Sequence, residues 1–338
     1  MTTTQDTTYD EGPGAPVASR DGSGFRTYEV YQRQRVRDST PLIKPRQLTS
    51  LEYLQDPYPI VGILREHYPC YRDWPGNSFW ITRYDEVTSL FVDDANFETR
   101  PKLWFYGIPG YGRDLRAELP VLRCRAACWD ANAAPLADSI LGEITARGNA
   151  TDLATEFAAR YSLELLGRLL DLPAGDLPTF IERYWRMQRG FNWEPRSEQA
   201  GREAMAELTE YFRPLLAARR ESPGSDLISV VAGLDGLAGG PATAEDLVVT
   251  LLEDDHETLH GALANLWFLL LTHPDQLAIV RDERRLVRFA YQETLRHSTP
   301  VVSAKRFAIH EVERFGRLLP EGALMMLSGA AANRDPRV

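Results

Sequence analysis

The chain has 338 residues, 43% apolar and 25% charged, which is enough to bury a large core and ordinary for a globular protein. Its net charge of −10, with no Lys/Arg block interleaved with aromatics, argues against a nucleic-acid partner. No clean apolar run reaches bilayer length and the N-terminus MTTTQDTTYDEGPG lacks the features of a signal peptide, so no membrane association and a cytoplasmic location are expected.

Three cysteines, Cys70, Cys124 and Cys128, form an odd set with neither disulfide nor zinc spacing, as suits a reducing compartment. Residues 1–45 are rich in Thr, Asp, Gly, Pro and Ser and are expected to be a disordered arm ahead of one domain over 46–338. Asp56-Pro57 followed by Tyr58–His67 predicts a capped helix, and Tyr71–Trp74 and Ser78–Thr82 around Pro75-Gly76-Asn77 predict a hairpin. Tyr84–Val92 returns to helix. Residues 98–116, with Gly turns and aromatics around Trp104–Tyr111, fit a loop over a binding site.

Apolar periodicity then predicts helices over Pro135–Ala146, Asp152–Leu170, Asp176–Met187, Ser197–Arg219 and Asp226–Ala232. After Pro300 the period becomes two, giving short strands at Ser303–Ala308, Val312–Phe315 and Ala323–Leu327. The fold class is α+β, mostly helical, with a small sheet.

The most informative element is the helix expected from Thr243 to Thr272, opened by a capping-box-like Thr243/Asp246 pair and roughly 45 Å long. Leu247–Leu252 and Leu259–Leu271 are apolar nearly all round, which predicts burial. Between them lies Glu253-Asp254-Asp255-His256-Glu257-Thr258, whose carboxylates are costly to bury. Asp254 and Thr258 share one face and Glu253 and Glu257 another, so this polar notch is a candidate site. His256-Glu257-Thr258-Leu259-His260 also matches H-E-x-x-H, a zinc-hydrolase pattern that requires a further ligand.

Several segments in order resemble the cytochrome P450 family of bacterial soluble type. His256-Glu257-Thr258, Ala262–Asn265 and Leu269–Gln276 are similar to its oxygen-binding helix and the turn after it. Glu293-Thr294-Leu295-Arg296 resembles its Glu-x-x-Arg helix, and Lys305-Arg306-Phe307-Ala308 the strand whose Arg meets a haem propionate. Leu319–Leu324 and Ala332–Pro336 continue the family's order.

The resemblance implies a P450-like helical fold and a haem-thiolate monooxygenase that uses O2 and electrons from a ferredoxin-type redox partner on a small organic substrate, a natural-product intermediate among the candidates. It assigns proton delivery to Glu257 and Thr258, propionate binding to Arg306 and, on the early helix, to Arg125 or Arg123, and a structural role to Glu293 and Arg296. Asp254 and Asp255 stand where the family has small residues, which would aim acid at the substrate pocket.

The family's Phe-x-x-Gly-x-x-x-Cys-x-Gly loop does not occur before Val338, so the resemblance reads as C-terminally incomplete, with no axial cysteine, doubtful haem binding and little expected turnover. It therefore also admits a haem-free, P450-like helper that supports a partner enzyme such as a glycosyltransferase.

Overall fold

The computed structural model describes residues 47–100, 115–148, 150–190, 195–252 and 256–338. The expected arm over 1–45, most of the loop over 98–116, and Asp254 and Asp255 lie outside the described residues. Described residues up to Arg100, together with Leu295–Val338, form one compact unit; those from 115 to Thr294 form a second.

The first unit opens with α1, Leu51–Gln55, capped by the Ser50 hydroxyl, which accepts the Tyr53 N–H at 3.2 Å. Helix α2, Tyr58–His67, starts behind Pro57, with the Asp56 carboxylate accepting the Tyr58 N–H at 3.1 Å. The hairpin pairs β1, Tyr71–Asp73, with β2, Ser78–Ile81, in antiparallel register Tyr71↔Trp80. Its turn places Asn77 at φ 44°, a left-handed conformation that Asn tolerates. Helix α3, Tyr84–Phe91, and the short strand β3, Phe97–Glu98, follow.

The second unit is helical. Helix α4, Leu119–Arg147, runs through Pro135 and stops at Gly148 in the left-handed region, φ 65°. A π-helical segment, Ala154–Ala159, leads into α5, Arg160–Leu169. Helices α6, Leu177–Gly190, and α7, Pro195–Glu221, meet at two glycines: a Cβ added to Gly190 would lie 2.3 Å from the Gly201 Cα. Helix α8, Leu227–Ala232, is capped by Asp226, which accepts the Ser229 N–H at 2.9 Å.

Helix α9, Ala244–Leu252, has the expected reciprocal cap. Asp246 accepts the Thr243 N–H at 2.7 Å, and the Thr243 hydroxyl accepts the Asp246 N–H at 3.2 Å. Then come α10, His256–Thr272; α11, Pro274–Asp282; and α12, Val287–His297, on which the chain passes out of this unit. The main core of this unit gathers Phe180, Tyr184, Met187, Leu208, Phe212 and the apolar residues of α9.

Back in the first unit, β4, Ala304–Ala308; β5, Val312–Arg314; β6, Arg317–Leu319; β7, Leu324–Leu327; and α13, Gly329–Ala332, complete the chain. The main sheet has the order β1-β2-β7-β4-β3; β2 and β7 are parallel and the other pairs antiparallel, and β5 pairs with β6 separately. The mostly helical architecture with small sheets is the one expected.

One expectation is corrected. The stretch Leu259–Leu271 is not buried all round: Phe268 is 66% and Leu271 54% exposed. Among the described residues, one side of α10 packs Leu259, Leu263 and Trp267 against Phe157, Tyr161 and Leu165. Apolar composition around a helix measures what it can bury; the neighbours decide what it does bury.

Candidate active site

The second unit carries the polar notch. Every residue of α9 from Leu247 to Leu252 is buried, so the chain reaches the acidic segment from inside a core. On the far side, His256 opens α10 and is buried, while Glu257 and Thr258 follow on its first turn, half-buried. Successive helical residues turn by about 100°, so Glu257 and Thr258 present adjacent faces.

His256 is enclosed by α6. The Tyr184 hydroxyl lies 2.5 Å from its Nδ1, and the two rings meet edge to face at 4.4 Å between centroids. Trp185 stands 5.4 Å away on another side. Gln188, one turn on from Tyr184, donates to the Tyr184 hydroxyl at 2.8 Å and to the Leu252 carbonyl at 3.1 Å. The second histidine of the H-E-x-x-H match, His260, is half-buried on α10, and no group of three or more His, Cys, Asp or Glu side chains capable of holding a metal occurs among the described residues.

Of the cysteines, Cys124 is buried and its thiol donates to the Ser225 carbonyl at 3.3 Å. Burial pushes the Cys124 thiol above its usual pKa, and neighbouring Cys128 and Asp226 add to the shift against Arg125. Cys128 is raised by burial as well. Both therefore favour the neutral thiol over the thiolate that binds iron. Arg125 is half-buried on α4 beside Cys124.

Of the remaining candidates, Arg306 and Arg296 belong to the first unit and Glu293 to the second. Arg306 on β4 is 7% exposed, and its guanidinium reaches back to the segment after α3. It donates to the Phe91 carbonyl at 3.1 Å, to Asp94 Oδ1 at 2.7 Å, to the Asp93 carbonyl at 3.5 Å and to the Phe97 carbonyl. Glu293 and Arg296 are exposed on α12, and Arg296 donates to the Asn333 carbonyl at 2.7 Å.

Sequence reasoning gave no role to the residues around Asn333, yet each is used. The Asn333 side chain donates to the Leu295 carbonyl at 3.4 Å, Arg334 donates to the His297 carbonyl at 2.7 Å and covers the Tyr58 ring, and Asp335 accepts the Tyr84 N–H at 3.0 Å, capping α3 from across the unit. Three polar residues in a row directly after the apolar run Ala330–Ala332 are the signal that was available.

No family model matches the chain. Among curated proteins it is 29% identical over 319 residues to the vitamin D(3) 25-hydroxylase of Pseudonocardia autotrophica, covering 85% of this chain and 76% of that protein. It is 33% identical over 189 residues to the cytochrome P450 monooxygenase PikC of Streptomyces venezuelae, covering 55% of this chain and 44% of that protein. The ligand-free structure of cytochrome P450 TbtJ1 superposes with a TM-score of 0.70 at 25% identity, over 84% of this chain and 77% of the other.

These relatives are oxidoreductases of the haem-binding monooxygenase class. In sequence and fold the chain is similar to bacterial cytochromes P450. No described helix is long and apolar enough to cross a membrane.

Proposed function

We propose that residues 46–338 act as one P450-type domain, behind the arm 1–45, in the oxidation of a small organic substrate with electrons from a ferredoxin-type partner in the cytoplasm. The observation that carries this reading is the half-buried Glu257-Thr258 pair at the start of α10, the next described helix after the buried run Leu247–Leu252. A carboxyl group and a hydroxyl on adjacent helical faces can hold and pass a proton, the general-acid role such chemistry requires. Asp254 and Asp255 would add acid to the substrate side. The relative that is a vitamin D(3) 25-hydroxylase favours a lipophilic substrate, a natural-product intermediate included.

Haem would supply oxygen activation when bound. The described residues do not complete its ligand set: Cys124 and Cys128 favour neutral thiols, Cys70 is buried at the start of β1, and the Arg306 terminal nitrogens are engaged by the segment 91–97. Arg125 and Arg306 are proposed for the propionates, Arg306 only after exchange of its present partners. Glu293 and Arg296 are proposed as structural.

The same cysteine environments favour a second reading, a haem-free helper bound to a partner enzyme such as a glycosyltransferase. Titrating haem into the purified chain separates the two. The monooxygenase reading expects uptake of one haem per chain, weakened by Arg125→Ala, without the red-shifted band of a thiolate-ligated ferrous–CO complex. No uptake at all would transfer the assignment to the helper. A thiolate band abolished by Cys124→Ser would overturn our account of the cysteines.

A further inference from the structure

The cluster that encloses His256 has no part in the chemistry proposed above, yet it is among the most buried polar groups of its unit. Tyr184 is 0%, Gln188 2% and His256 7% exposed. A buried hydroxyl or amide without partners is destabilising, so such a group persists where its hydrogen bonds are made.

Counting protons assigns the network. Gln188 brings two N–H donors, and its two shorter contacts are the Tyr184 oxygen at 2.8 Å and the Leu252 carbonyl at 3.1 Å. The Tyr184 hydroxyl has one proton and faces two acceptor candidates, the Leu251 carbonyl at 3.3 Å and His256 Nδ1 at 2.5 Å. If Nδ1 carries a proton and donates to Tyr184, the Tyr oxygen accepts twice and gives its own proton to Leu251. Among these contacts, four donors then meet four acceptor positions. With Nδ1 bare, the single Tyr proton has two claimants, and Leu251 depends on the longer 3.3 Å contact from Gln188.

We infer that Tyr184 and Gln188 form a latch that pins α6 to both flanks of segment 253–255, with His256 held as its Nδ1–H tautomer. On one flank the latch grips the Leu251 and Leu252 carbonyls of α9; on the other it grips the first residue of α10. Glu257 and Thr258 follow His256 directly, so a latch that fixes the azimuth of His256 fixes theirs. Tyr184 and Gln188 are thus positioning residues for the acid–alcohol pair. Their geometry stands alone; its functional meaning rests on the monooxygenase reading.

Amide hydrogen exchange of the full chain tests this. Tyr184→Phe keeps the ring and removes only the shared oxygen. Peptides spanning 256–262 are expected to exchange roughly tenfold faster, the scale of one buried hydrogen bond, while peptides of the β2–β7 sheet stay unchanged. Gln188→Met is expected to act likewise, and serves if Tyr184→Phe fails to fold. His256→Asn, whose amide N–H takes the place of Nδ1–H, should retain protection that His256→Gln loses. Unchanged exchange in Tyr184→Phe, or equal behaviour of the Asn and Gln variants, would show ring packing alone and overturn the latch. Haem uptake reads the functional assignment and hydrogen exchange reads the latch, so either can fail alone.

Discussion

The two units bury polar groups in different ways. The sheet-bearing unit hides three arginines, Arg72, Arg306 and Arg317, at 6%, 7% and 4% exposure; in the helical unit no described arginine is as buried. The reason lies in the backbone. Helices satisfy their own carbonyls, so α4–α10 can close on apolar side chains. The first unit joins segments more than 200 positions apart through short strands and loops, which leaves carbonyls at the joints. Arginines reach them: Arg306 takes Phe91, Arg317 takes Cys70 at 2.6 Å and Arg65 takes Ala331 at 2.7 Å. A long side chain with a fork of donors suits this bracing. Against that contrast, the Tyr184–Gln188–His256 cluster is a braced spot inside the mostly apolar main core of the helical unit.

The contrast breaks first at Phe212. Its ring is fully buried in the helical core, 6.2 Å from the Phe180 ring. Phe212→Ala is expected to lower unfolding free energy by about 3–5 kcal/mol, read by urea denaturation. A loss below about 1 kcal/mol would mean that α7 is not core. Arg306→Ala comes next. It strands the Phe91 and Phe97 carbonyls, at an expected loss of about 3 kcal/mol, and Arg306→Lys should recover only part because an ammonium lacks the fork. A near-neutral Arg306→Ala would show that the bracing is idle and that the residue serves the cofactor.

What the sequence disclosed follows the same division. Tyr58–His67, the 71–81 hairpin and the Thr243/Asp246 cap were legible because their signals lie within a few residues of one another. The parallel pairing of β2 with β7 was not, since Ser78 and Leu324 carry no mutual mark. Arg306 was legible as a candidate, but its partners between Phe91 and Phe97 were not. The polar notch was seen, whereas the side chains that grip its flanks sit 72 positions earlier on α6. Their trace was a Tyr and a Gln four apart on an apolar helix face. The exposed face of α10 was illegible because hydrophobicity is a property of the helix and burial a property of its surroundings.

The smallest effect sharpens the contrast from the sheet unit's side. Asp335 is held below the usual carboxylate range: burial works to raise it, but Arg337 and the backbone N–H groups of Tyr84 and Arg337 outweigh that. A depressed folded pKa gives stability that is present above the unfolded value of about 3.9 and is lost as pH falls through the lower folded value. Arg337 is solvent-exposed, so its ion pair contributes little, and most of the effect belongs to the Tyr84 cap. Asp335→Ala should therefore cost about 1 kcal/mol at neutral pH, as loss of a helix cap does. Urea midpoints of the two proteins should converge only below about pH 4, where the parent's carboxylate takes up its proton. Parallel curves down to the acid limit would remove Asp335 from the bracing set, and with it the claim that this unit is closed by charge-assisted bonds to distant backbone.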